Sequence, residues 1–137
     1  NEAPPKKRKE IVEEAKIKRP PVQHRTRKVG ELVEAVHQWP EFPGGGDAFM
    51  KYLDKVGKDV GEFLPKGVKK TYVQVEFIVD KDGVPVNFKI LKGIKDAEEV
   101  EDELIVRMED MGTWKPAVLH GKPVAKKMIQ TVTVEKQ

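Results

Sequence analysis

The sequence predicts an α+β domain, with two helices packed on one face of a small antiparallel sheet, in the order helix, strand, strand, helix, strand. Three observations predict it. Val73, Val75, Phe77 and Val79 alternate with polar residues, Asp-Lys-Asp-Gly then turns the chain, and Val86, Phe88 and Ile90 alternate on the return. Apolar residues recur at one-turn spacing on both sides of this hairpin, at Phe49, Met50, Leu53 and Val56 and again at Val100, Leu104, Met108 and Met111. A final run, residues 124–134, puts Met128, Val132 and Val134 on one face of a strand.

Composition excludes whole classes of chemistry. The 137 residues suffice for one domain and a tail. There is no Cys and no Ser, so disulfides, thiolate metal sites and Ser or Cys nucleophiles are out of reach. His24, His37 and His120 lie far apart, without the spacing of a metal site, and no metal or other cofactor is expected. No apolar run reaches eighteen residues. The chain opens on Asn1, which suggests a fragment with a membrane anchor or signal upstream.

Charge is unevenly distributed. Residues 1–30 carry 10 Lys/Arg against 4 Asp/Glu, a net of +6, whereas the remainder carries 16 against 19, a net of −3. Residues 1–38 therefore read as a basic, Pro-containing linker and residues 39–137 as the domain. Up to about residue 28 the arm is expected to be extended and to stand off the domain, with at most a short helix over residues 10–18. Val29, Leu32, Val33 and Val36 fit either a helical turn or an edge strand. A basic arm could contact nucleic acid, but the domain shows no basic face or stacking aromatics, and none is expected as a partner.

The stretch "PEFPGGGDAF" raises the question of a phosphate cradle. A P-loop needs Gly-Lys-Ser/Thr where this chain has Gly46, Asp47 and Ala48, and a dinucleotide fingerprint needs Gly where Phe49 stands. Asp47 is expected to cap the first helix instead, which should end near Gly57.

In the hairpin, Gly83 supplies the positive φ of the turn, and Pro85 marks the returning strand as an edge. Asp80 and Asp82 suggest calcium, but the twelfth position of such a loop is Lys89 rather than Glu. The second helix should run from about Asp96 to Met111, its early acids Glu98, Glu99, Glu101, Asp102 and Glu103 forming a solvated start favoured by the helix dipole. "GTWKPAVLHGKPVAKK" reads as a loop, with Trp114 held in the core between the second helix and the sheet by Pro116 and a turn at Gly121–Lys122. Three strands leave a long unpaired edge, a template for another chain or a second copy of this one.

Taken in order, "PEFPGGGDAFMKYL", "FIVDKDG", "KILKG", the amphipathic helix, "MGTWKPA" and "HGKPV" resemble the C-terminal domain of TonB-family energy transducers, in the branch with a Phe-Pro-Gly-Gly entry. The likeness covers about residues 40–134. It rests on Phe42, Pro43, Gly44, Gly45, Asp80, Gly83, Trp114, Pro116, Gly121, Lys122 and Pro123. The chain departs from the family's pattern at "GEFLPKGVKK", at Gly112 and at Ala117.

The resemblance implies a non-enzymatic periplasmic domain, tethered to the inner membrane of a Gram-negative bacterium by an upstream helix that meets the ExbB–ExbD proton channel. Its partners would be TonB-dependent outer-membrane transporters, whose TonB box it would take up by strand addition to drive nutrient uptake. The implied contact is the last strand, at Lys126, Lys127, Met128, Ile129, Gln130, Thr131 and Val132, and a homodimer could use the same edge. The alternatives are a TonB-like peptide-binding sensor module of a larger membrane protein and a KH-like RNA-binding domain. For the latter, Gly57 and Gly61 have the wrong spacing and place.

Overall fold

The computed structural model describes residues 24–137, and the expectations for residues 1–23 lie outside them. The chain is α+β: two helices cover one face of a small antiparallel sheet. In chain order it forms α1 (Gly46–Asp59) with a 3-10 turn (Val60–Phe63), β1 (Lys70–Val79), β2 (Pro85–Lys92), α2 (Glu98–Glu109), β3 (Ala117–Leu119), β4 (Lys122–Val124) and β5 (Lys126–Glu135).

The sheet order is β2–β1–β5, with β1 in the centre. Its ten residues pair antiparallel with β5 without a break, from Lys70 opposite Glu135 to Val79 opposite Lys126. Alternation does the sorting: Val73, Val75, Phe77 and Val79 face the helices beside Val132 and Val134. Phe49, Leu53 and Val56 of α1 and Val100, Leu104 and Met108 of α2 close the core from above. Fully burying a side chain of this kind is worth about 1.5–3 kcal/mol, so this set dominates stability.

Several local expectations change. The N-cap of α1 is Gly45, and Asp47 makes no capping bond, although its charge still suits the first turn. Gly44 and Gly45 have φ of 95° and 94°, which no bulkier residue holds comfortably, and this is why the entry needs glycine. The helix ends at Asp59, two residues past Gly57, as expected, and leads into the 3-10 turn. In β2, Phe88 and Ile90 face the helices, yet Val86 joins Ile78 and Ala125 in a second, smaller cluster. A β-bulge causes the switch: Asn87 has φ of 57° and the register with β1 slips there. Pro85 does lie on an edge strand, as its missing donor requires.

Trp114 is buried, though its ring neighbours are Phe42, Phe49 and Phe77, at 5.0–5.7 Å, so it packs beneath α1 and the entry loop. The stretch after it is not a plain loop. β3 and β4 form a hairpin whose two-residue turn, His120 and Gly121, has positive φ at both positions. Bridges from Gln38 to Val118 and from Glu41 to Lys115 tie this hairpin to the entry segment.

The arm is not free over its last residues. The Arg25 backbone N–H and guanidinium both bond Glu109, and the Arg25 carbonyl accepts the Asn87 N–H at 3.0 Å. The Asn87 side chain accepts from the Arg27 N–H at 2.6 Å and donates to its carbonyl at 2.7 Å. Residues 24–28 thus contradict the expectation that they stand off the domain. The sequence hid this because the anchors are polar bonds to Asn87 on the bulge and to Glu109, not an apolar pattern.

A candidate strand-docking edge

A three-stranded sheet has two outer edges, and the structure treats them differently. On β2, Pro85 offers no donor, the bulge at Asn87 breaks the run, and residues 25–27 occupy the polar groups there. Arg27 adds a 2.8 Å ion pair to the buried carboxylate of Asp80, fastening the arm to the hairpin turn. Asp80 is held by the turn itself, since its other oxygen accepts from Asp82 and Val84 at 2.9 and 2.8 Å. This edge is closed along its first half.

The parity of β5 follows from one bond. The Lys136 N–H donates to the Lys69 carbonyl at 2.8 Å, one pair beyond the Lys70–Glu135 match. Amides alternate sides along a strand, so Lys126, Met128, Gln130, Val132 and Val134 direct their main-chain groups at β1. Lys127, Ile129, Thr131, Thr133 and Glu135 direct theirs outward. The Gln130 side-chain amide reaches the Thr131 carbonyl at 3.1 Å, as an outward carbonyl allows.

The outward row is not open throughout. A methyl group on Gly57 would lie 1.9 Å from the Thr133 carbonyl oxygen, and one on Gly61 would lie 2.0 Å from that of Glu135. The end of α1 and the 3-10 turn therefore sit directly on the C-terminal third of this edge. What remains is the stretch from Lys127 to Thr131, about 13 Å of strand at roughly 3.3 Å per residue.

The seven residues assigned to partner binding thus fall into two sets. Ile129 and Thr131 present main-chain groups outward, with Lys127 at their head, whereas Lys126, Met128, Gln130 and Val132 spend theirs on β1. Lys126 is 9 % exposed and its ammonium lies 4.7 Å from the Trp39 ring centre, while Lys127 pairs with Glu76 at 3.9 Å. The sheet face away from the helices leaves Tyr72 and Ile129 more than half exposed.

No family model matches the chain, and no curated protein matches it either.

The motif residues gather elsewhere, as a scaffold. Phe42 and Trp114 share one aromatic cluster, and the Trp114 N–H donates to the Gly83 carbonyl at 2.8 Å. Gly83 has φ of 87°, as its turn requires, but a side chain there would also strike the Trp114 carbonyl at 2.1 Å. Gly121 turns the β3–β4 hairpin, Lys122 and Pro123 are exposed on β4, and Pro43 is exposed in the entry loop. An open hollow of about 450 Å³ lies between the arm and the hairpin turn, and its buried charge, Asp80, is already paired with Arg27. Among the described residues no three His, Asp or Glu side chains gather as a metal site, and no helix is long and apolar enough to cross a membrane. The sequence pointed to Gly57 as a helix end and to Gly57 and Gly61 as a poor nucleic-acid loop, but not to their close approach to β5, for which a spacing of four in a helical stretch was the available signal.

Proposed function

We propose that residues 40–134 form a TonB C-terminal-like domain that takes up an extended TonB-box segment of an outer-membrane transporter on the β5 edge. One observation carries the reading: the β2 edge is closed along its first half by Pro85, a bulge and the arm, while β5 presents an outward row of main-chain groups from Lys127 to Thr131. The ordered Phe-Pro-Gly-Gly, Asp-x-Asp-Gly and Trp-Lys-Pro motifs supply the family, and their convergence around Trp114 supports reading them together.

In this reading no catalytic group is needed. The main chain of β5 provides the contact, the helices hold β5 rigid, and force reaches the domain through the basic arm from an inner-membrane anchor coupled to the ExbB–ExbD proton channel. Few main-chain bonds and little buried surface make the contact weak, about micromolar. A sensor module of a larger membrane protein would dock a peptide in the same manner and differ only upstream. The KH-like reading loses support, because Gly57 and Gly61 are buried against β5 and offer no loop to a nucleic acid.

Titration of the domain with a TonB-box peptide, followed by amide hydrogen exchange, tests the proposal. Protection should rise at Ile129 and Thr131. Saturable binding with protection confined to β2 would overturn it.

A further inference from the structure

The end of α1 does more than cover part of a sheet edge. Gly57 and Gly61 lie on one stripe of the helical segment, and they meet Thr133 and Glu135, which lie on one side of β5. The helix axis therefore runs in the direction of the strand at this point. Met50 and Asp54 continue the same stripe toward the N-terminus and both are exposed. Thr131 is exposed, and the close approach between helix and edge falls at Thr133 and Glu135. The obstacle is stiff. What fills the Cβ positions is main-chain carbonyl, held by ladder bonds on its other side, rather than the end of a flexible side chain.

We propose that the Gly57–Gly61 contact is a stop that fixes the length of strand β5 can accept. This rests on the docking reading above and adds a specificity rule to it. The occupant is a short extended peptide segment, about five residues paired opposite Lys127 to Thr131, which must end or turn away at Thr133. Two glycines are required because any side chain would hold the helix off the carbonyls and leave the edge open to its end. The rule also disfavours long sheet extension by a second copy, since a full β5–β5 pairing would need the blocked residues.

A nested series of peptides, from four to ten residues around one TonB box, tests the stop on the native domain. Affinity should climb steeply up to about five residues and then change by less than about twofold. Hydrogen exchange with the ten-residue peptide should show new protection at Lys127, Ile129 and Thr131, with Thr133 and Glu135 unchanged. If affinity keeps climbing through ten residues and protection spreads to Thr133 and Glu135, the stop is wrong while edge docking stands. If no peptide binds, or binding brings no protection at the three outward residues, edge docking fails and the stop fails with it.

Discussion

The Lys136 amide donates to the Lys69 carbonyl at 2.8 Å, and this one bond assigns every main-chain group of β5 to a side. Proline substitution should therefore split by parity. At Met128, Gln130 or Val132 it removes a bond to β1 and orphans a buried carbonyl, a loss of about 1–3 kcal/mol before any strain. At Ile129 or Thr131 it removes only an outward donor, so the domain stays folded and loses the TonB-box peptide. Circular dichroism melts beside peptide titration separate the two classes. A folded Gln130→Pro variant with parent-like stability would show that the parity is reversed.

Gly57→Ala sets two effects against each other. Helix propensity favours Ala by up to about 1 kcal/mol. Against it stands a methyl carbon 1.9 Å from a backbone oxygen that cannot swing aside. Overpacking of this kind typically costs about 1–3 kcal/mol, so a net loss is expected in urea unfolding. Gly46→Ala is the control: no atom outside its own helix turn lies within 4 Å of an added methyl, and its φ is not positive.

Trp114 is 3 % exposed among Phe42, Phe49 and Phe77, and it also carries the Gly83 contact on its main chain. Trp114→Ala should cost about 3–5 kcal/mol by opening a cavity at the junction of entry loop, α1 and β1. A loss under about 1 kcal/mol in denaturant unfolding would mean that the ring contributes little to the core.

Asn87 combines a positive φ of 57° with two side-chain bonds to the Arg27 backbone. Asn87→Gly keeps the backbone relaxed and loses the bonds, whereas Asn87→Ala loses the bonds and adds strain. Both variants should release residues 25–28, seen as faster amide exchange at Arg27, and Ala should be the less stable by about 1 kcal/mol. Unchanged exchange at Arg27 in both variants would show that the arm is held by its other contacts, Arg25 on Glu109 and Arg27 on Asp80, and not by the Asn87 side chain.

The Glu101 carboxyl titrates above the usual glutamate range, chiefly because burial disfavours its charged form, with Glu98 and Asp102 adding repulsion. It sits where a side chain on Gly93 would be. The folded state therefore binds this proton more tightly than the unfolded chain does. Its contribution is fully present below the ordinary glutamate value and is lost as pH rises through the raised one. Glu101→Gln should thus gain in melting temperature relative to the parent as pH goes from about 4 to about 7. A difference that does not vary with pH would contradict this.

The sequence by itself determined the two helices, the hairpin and the final strand, because apolar spacing at periods of 3.6 and 2 is a local property of the chain. It likewise determined that β2 is an edge, since Pro85 has no donor to give. Tertiary structure alone decided which residues of β5 face outward, because parity depends on the register against β1 and not on the pattern of side chains. It also decided that the N-cap is Gly45 rather than Asp47, that the bulge at Asn87 turns Val86 to the other face, and that residues 25–27 close the first half of one edge. Gly57 and Gly61 show the reason most plainly. In sequence they are two small residues near a helix end, and their meaning lies in carbonyls more than seventy residues away, which only folding brings within 2 Å of their missing side chains.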